Sequence, residues 1–88
     1  MKVTNMRSPR SYNRVANQFE IEGDDGSIYF QSYNTVIAKK IKGQIYLDEN
    51  AWDCSATTGK YRNIFLGEGK KETQAKINSG EYKLTNLN

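Results

Sequence analysis

The sequence predicts an α+β fold: a small antiparallel sheet of four to five strands, two hairpins first, with two short helices packed on one face. Three observations carry this. Residues 19–33 and 35–47 alternate apolar and polar side chains around tight-turn residues, a period of two. Beyond Asn50 the apolar spacing lengthens to that of a helix, over two short segments. The last eight residues alternate again. A chain of 88 residues is one domain, and a hydrophobic content of 36% supports one modest core.

The elements follow in order. Residues 1–16 are polar and hold the only proline, Pro9. Lys2, Arg7, Arg10 and Arg14 precede the first acid, Glu20, so this stretch reads as a basic polar N-terminal arm, solvated or meeting phosphate or an acidic partner. Residues 17–88 form the α+β domain. In QFEIEGDDGSIYFQSY, Phe19 and Ile21 alternate with Glu20 and Glu22, and Gly23-Asp-Asp-Gly26 supplies the turn. Phe19, Ile21, Ile28 and Phe30 are expected in the core, with Tyr29, Gln31 and Tyr33 on the other face. TVIAKKIKGQIYLDEN gives a second hairpin turning at Lys42-Gly43, with Ile45 and Leu47 inward and Tyr46 outward.

In SATTGKYRNIFLG, Tyr61, Ile64 and Phe65 stand at i, i+3 and i+4, one helical face. Ser55 or Thr57 caps its start and Gly67 its end. Gly59 costs such a helix about 1 kcal/mol against alanine. KKETQAKINSG reads as a second, weakly apolar helix with core contacts at Ala75 and Ile77. EYKLTNLN closes the chain as a strand or extended tail.

Composition excludes several chemistries. There is no histidine and one cysteine, Cys54. Histidine general-base catalysis, nucleophile–histidine pairs and a Cys/His zinc site therefore cannot be built. A single thiol forms no internal disulfide, so a reducing compartment is expected, with Cys54 as a small buried thiol. No apolar run approaches the length of a membrane span and the first residues lack an apolar signal segment, so a soluble cytosolic protein is expected. The pairs Asp24-Asp25 and Asp48-Glu49 point to opposite faces or sit in turns and make no acid–base dyad. No cofactor or metal is expected, nor an enzyme.

Thr57-Thr58-Gly59-Lys60 resembles a phosphate loop and fails as one. Position 54 is Cys where that loop needs glycine, and position 61 is Tyr where it needs Ser or Thr. A weaker anion site remains, with Thr57, Thr58 and Lys60 at a helix N-terminus. Lys60 and Arg62 lie about 200° apart on a helix, at ~100° per residue, so they form no single basic stripe. Trp52 and the six tyrosines carry more weight, because exposed aromatics serve both protein hot spots and base stacking. The expected binding surface is Arg10, Arg14, Tyr33, Trp52, Lys60 and Arg62.

NQFEIE, YFQSYNTVIA, SATTGKYRNIFLG and INSGEY together resemble a family of small uncharacterised proteins, a domain of unknown function, carried by phages and prophages of Gram-positive bacteria. The resemblance covers roughly residues 8–88, with Cys54 standing where an aromatic residue is expected. It implies a genomic setting and no catalytic residue. In that setting the expected function is non-catalytic: binding a bacterial host protein of the defence, replication or transcription machinery, as a counter-defence (anti-CRISPR-like) or host-takeover inhibitor in the host cytoplasm. The alternatives are a nucleic-acid binder using the basic arm and the Tyr/Lys/Arg surface, and a virion or assembly component. No membrane partner is expected, and the chain is a monomer or homodimer.

Overall fold

Eight elements run in the order β1 (Lys2–Arg7), β2 (Arg14–Glu22), β3 (Ile28–Ser32), β4 (Thr35–Ile41), β5 (Gln44–Asp48), α1 (Ala56–Leu66), α2 (Lys70–Asn78) and β6 (Tyr82–Thr85). They come from a computed structural model describing residues 1–88. The class is α+β, but the sheet is larger than the expected four to five strands and is not wholly antiparallel. It has six strands in sequence order, β1 to β6. The first five form an antiparallel meander, and β6 pairs parallel to β5 after crossing over through both helices. Alternation in a four-residue strand carries no direction, and only a long crossover makes parallel pairing possible.

The additional strand is β1. Residues 2–7, expected within a polar arm, pair with β2 from Lys2 opposite Glu22 to Arg7 opposite Arg14. Only Met6 of β1 is buried, so the strand is held by its backbone ladder and carries little alternation to read.

Register decides which side chains reach the core. The loop from Gly23 to Ser27 makes Glu22 and Ile28 the first pair of the β2–β3 hairpin, which sets Ile21 opposite Tyr29 and Phe19 opposite Gln31. Phe19 and Ile21 therefore lie on the Tyr29 face, half-buried, and not beside Phe30 as expected. Ile28 shares the Phe30 face but stands at its rim, exposed. A bulge at Val36–Ile37 interrupts the β3–β4 ladder and lets Ile37 and Ala38 both be buried. The Lys42-Gly43 turn has φ 49° and 77°, the paired left-handed residues that a two-residue hairpin turn needs.

Both helices pack on the Phe30 face. The rings of Phe30 and Phe65 lie 5.8 Å apart, and Ser32 and Thr58 share a buried hydroxyl hydrogen bond of 3.0 Å. The core between sheet and helices is Met6, Phe30, Ile37, Ala38, Leu47, Tyr61, Phe65 and Tyr82. Helix α1 is capped as expected: Ser55 Oγ accepts from Thr58 N–H, and Gly67 closes the helix at φ 72°. Lys40 of β4 donates to the Phe65 carbonyl at 2.6 Å with its ammonium over the Phe65 ring, tying the C-terminal end of α1 to the sheet. The buried face of α1 is Thr58, Tyr61, Arg62 and Phe65; Ile64, expected inward, is 44% exposed. In α2 only Thr73 is buried, and Ala75 faces solvent.

Two polar staples hold the return of the chain. Glu68, between the helices, accepts from Lys76 Nζ and Thr73 Oγ1 at 2.6 Å each and from Tyr82 OH at 2.8 Å. Asp48 accepts from the backbone N–H groups of Asn50, Ala51 and Leu87 and from Asn88 Nδ2. The Asn88 amide also donates to the Val36 carbonyl and accepts from Val36 N–H, continuing the ladder past the end of β5.

Candidate binding site

Helix geometry and burial first remove one expected surface residue. Arg62 is 1% exposed. Its Nη1 donates to the Trp52 carbonyl at 2.8 Å and to Asp53 Oδ1 at 3.2 Å, and Nη2 donates to Asn63 Oδ1. The guanidinium also stacks on the Trp52 ring, 5.2 Å from its centre. Arg62 is thus the clamp between α1 and the loop that follows β5, a structural residue and not a surface contact. Gly59 leaves space beside it: the nearest atoms a Cβ there would meet are those of the Arg62 guanidinium, at 3.6 Å. The pattern Thr58–Tyr61–Arg62–Phe65, at i, i+3, i+4 and i+7, holds this information, but a charged side chain at one of its positions disguises it. Trp52, also expected on the surface, is half-buried against the core.

The expected anion site is largely used internally. Thr58 is buried; its N–H serves the Ser55 cap and its hydroxyl meets Ser32. Asp53 lies at the same helix start, where it pairs with Lys70 at 2.7 Å and with Arg62. The Lys70 hydrogen bond, helped by Arg62 and opposed by burial, holds the Asp53 carboxyl below its ordinary range. A carboxylate of the chain itself already engages the cations Arg62 and Lys70 at this helix start. Thr57 and Lys60 stand exposed beside it. Cys54, expected buried, is exposed in the same loop, where Ser55 turns the chain into the helix.

Arg10, Arg14 and Tyr33 lie toward the same end of the sheet. β1 and β3 arrive there and β2 and β4 depart, so the 8–13 loop and the Tyr33-Asn34 turn share that end. Tyr33 N–H donates to the Asn17 carbonyl at 2.7 Å, three residues into β2 from Arg14, so the Tyr33-Asn34 turn is tied to the strand and the 8–13 loop projects beyond it. Arg7 and Arg14 are cross-strand neighbours, with Arg10 in the loop between them. None of the three makes an ion pair; Arg7 donates instead to the Tyr12 carbonyl. Two tyrosines of this end are exposed: Tyr12, in the same loop, is 73% and Tyr33, in the next turn, 56% exposed. Both hold left-handed backbone, φ 60° and 56°, a region a bulky side chain rarely adopts. Arg7 and Tyr12 were outside the sequence-expected surface, because a basic arm gives no sign of which residues a hairpin will gather.

The opposite face of the sheet from the helices is a second surface. One row crosses all six strands: Val3, Ile21, Tyr29, Lys39, Tyr46 and Lys83. Phe19 and Gln31 lie beside it. Neither helix covers this face, where Tyr29 and Tyr46 are half-buried.

No group of three or more His, Cys, Asp or Glu side chains comes together as a metal site, and no helix is long and apolar enough to cross a membrane. The molecule is thus a small α+β protein built on a one-sided mixed sheet. Its residues 1–81 match the model of DUF8033, a family of unknown function, and the chain belongs to that family. No curated protein and no solved structure matches it.

Proposed function

We propose that this protein is a non-catalytic accessory factor of phage or prophage origin in a Gram-positive host, acting by occupying a bacterial macromolecule. Its partner is a host protein of the defence, replication or transcription machinery, which it inhibits in the host cytoplasm in the manner of a counter-defence factor. One observation supports this above the others. Arg7, Arg10 and Arg14 have no carboxylate partner, and Tyr12 in their loop and Tyr33 in the neighbouring turn are exposed on left-handed backbone. Tyr33 opens a two-residue hairpin turn, which takes a positive φ there, and a large ring left in solvent at such a position serves a contact better than it serves the turn. Arginine and tyrosine are also the side chains that anchor interfaces most strongly. The docking surface is accordingly Arg7, Arg10, Tyr12, Arg14 and Tyr33, fitted to an acidic patch on the partner.

Affinity capture from a Gram-positive lysate, with and without nuclease, tests the reading. One host protein should be recovered in both arms and lost with the Arg10→Glu, Arg14→Glu variant. Recovery of no protein that depends on these arginines would defeat it.

A further inference from the structure

We infer that the uncovered face of the sheet binds single-stranded nucleic acid, with Tyr29 and Tyr46 as stacking platforms and Lys39 between them as a phosphate contact. The register places Tyr29, Lys39 and Tyr46 side by side on β3, β4 and β5. Neighbouring strands lie about 4.8 Å apart, so the two rings stand about 10 Å from each other with the lysine midway. The Lys39 ammonium already lies 5.3 Å from the centre of the Tyr29 ring. Phe19 and Ile21 extend the apolar ground toward β2, and Lys83 adds a second cation on β6.

Charge selects the occupant. The strands carry three acids, Glu20, Glu22 and Asp48. Glu20 and Glu22 lie in the rows of Phe30 and Ile28, on the helix side. Asp48 is buried and engaged by Asn50, Ala51, Leu87 and Asn88. The strands on the open face therefore present aromatic rings and lysines and no carboxylate; the exposed acid that reaches this face is Asp25 of the β2–β3 turn, close enough to Lys39 to feel its charge. A second copy seated on it would set lysines against lysines with Asp25, at the turn, as the acid within reach of Lys39. A single strand offers what the face lacks: flat bases for the rings and phosphates for the ammonium groups. A duplex keeps its bases stacked inside and cannot use the rings.

This surface is separate from the arginine end, so its failure leaves the protein-capture reading standing. Fluorescence anisotropy with short labelled single-stranded DNA and RNA of mixed sequence, and with the matching duplexes, is the test. Single strands should bind with salt-sensitive affinity, above the duplexes. Tyr29→Leu and Tyr46→Leu keep apolar cover but remove the stacking ring; each should weaken binding about tenfold with the circular dichroism spectrum unchanged. Lys39→Gln should lower the salt slope by about 0.7, the loss of one phosphate contact. Absence of salt-sensitive binding, or binding indifferent to both tyrosines, overturns the proposal. So does a concentration-dependent dimer that the same leucine variants dissociate, which would make the face an interface between copies.

Discussion

Tyr33 is held at φ 56° and Tyr12 at φ 60°, while their rings face solvent. The left-handed region costs an L-residue roughly 1–2 kcal/mol, less for asparagine. With so little packing to lose, Tyr33→Asn and Tyr12→Asn should each stabilise the fold by about 1 kcal/mol. A urea midpoint that rises at unchanged slope would register the gain, and the same variants should weaken partner capture. A fall in the midpoint would mean that the rings contribute packing after all. Arg62 gives the opposite expectation. A lysine cannot reproduce its contacts to Trp52, Asp53 and Asn63, so Arg62→Lys should cost about 2–3 kcal/mol, seen in thermal and urea unfolding. At this scale the site was partly legible. Arg10, Arg14 and Tyr33 are exposed, whereas Arg62 and Thr58 are buried. A charge on a helix reads as solvent-facing unless its partners are known, and Trp52 and Asp53 lie outside the helix that carries it.

Elements with local signals were read closely. The Ser55 and Gly67 caps bound α1 as expected, and Lys42-Gly43 turns the β4–β5 hairpin. Elements that depend on distant pairing were not. β1 owes its existence to β2, β6 takes its direction from β5, and the burial parity of β2 follows from the length of the loop after it. Helix α1 offers two further tests. Ser55→Ala removes the side-chain acceptor of Thr58 N–H and should cost about 1 kcal/mol. Gly59→Ala should do the reverse. Its Cβ meets the Arg62 guanidinium at ordinary van der Waals distance, so the helix gains up to about 1 kcal/mol of propensity without a clash. A longer side chain would reach the guanidinium itself, and Gly59→Leu should destabilise by displacing it. If alanine destabilised as well, the guanidinium would have to lie closer to the helix backbone than 3.6 Å contact allows.

At the scale of the whole molecule, the late-joining strand and the terminal residues are fixed by carboxylates. Glu68 ties α2 to β6, and Asp48 ties Leu87 and Asn88 to the sheet. Burial works against the charge of each, but hydrogen bonds outweigh it: from Leu87, Asn88, Asn50 and Ala51 for Asp48, and from Lys76, Thr73 and Tyr82 for Glu68. Both carboxyls therefore titrate below their ordinary values of 3.8 and 4.5. A depressed carboxyl contributes its stability above the unfolded value and loses it as pH falls through the folded one. Stability should thus be level down to about pH 5 and fall below it. On the alkaline side Lys76 is raised, chiefly by its hydrogen bond to Glu68, and Tyr82 is raised by burial and then by Glu68. Their contribution is complete below pH 10 and disappears as pH rises through their folded values. The Glu68→Gln variant separates the two limbs. It weakens the acceptor shared by Lys76, Thr73 and Tyr82 and should lower stability near neutral pH. It should also flatten both limbs of the profile, since Glu68 takes part in each. Asp48→Asn should flatten the acid limb alone. Urea unfolding of the three proteins across the pH range reads all of this, and an alkaline limb left intact by Glu68→Gln would refute the coupling of α2 to β6 through that carboxylate.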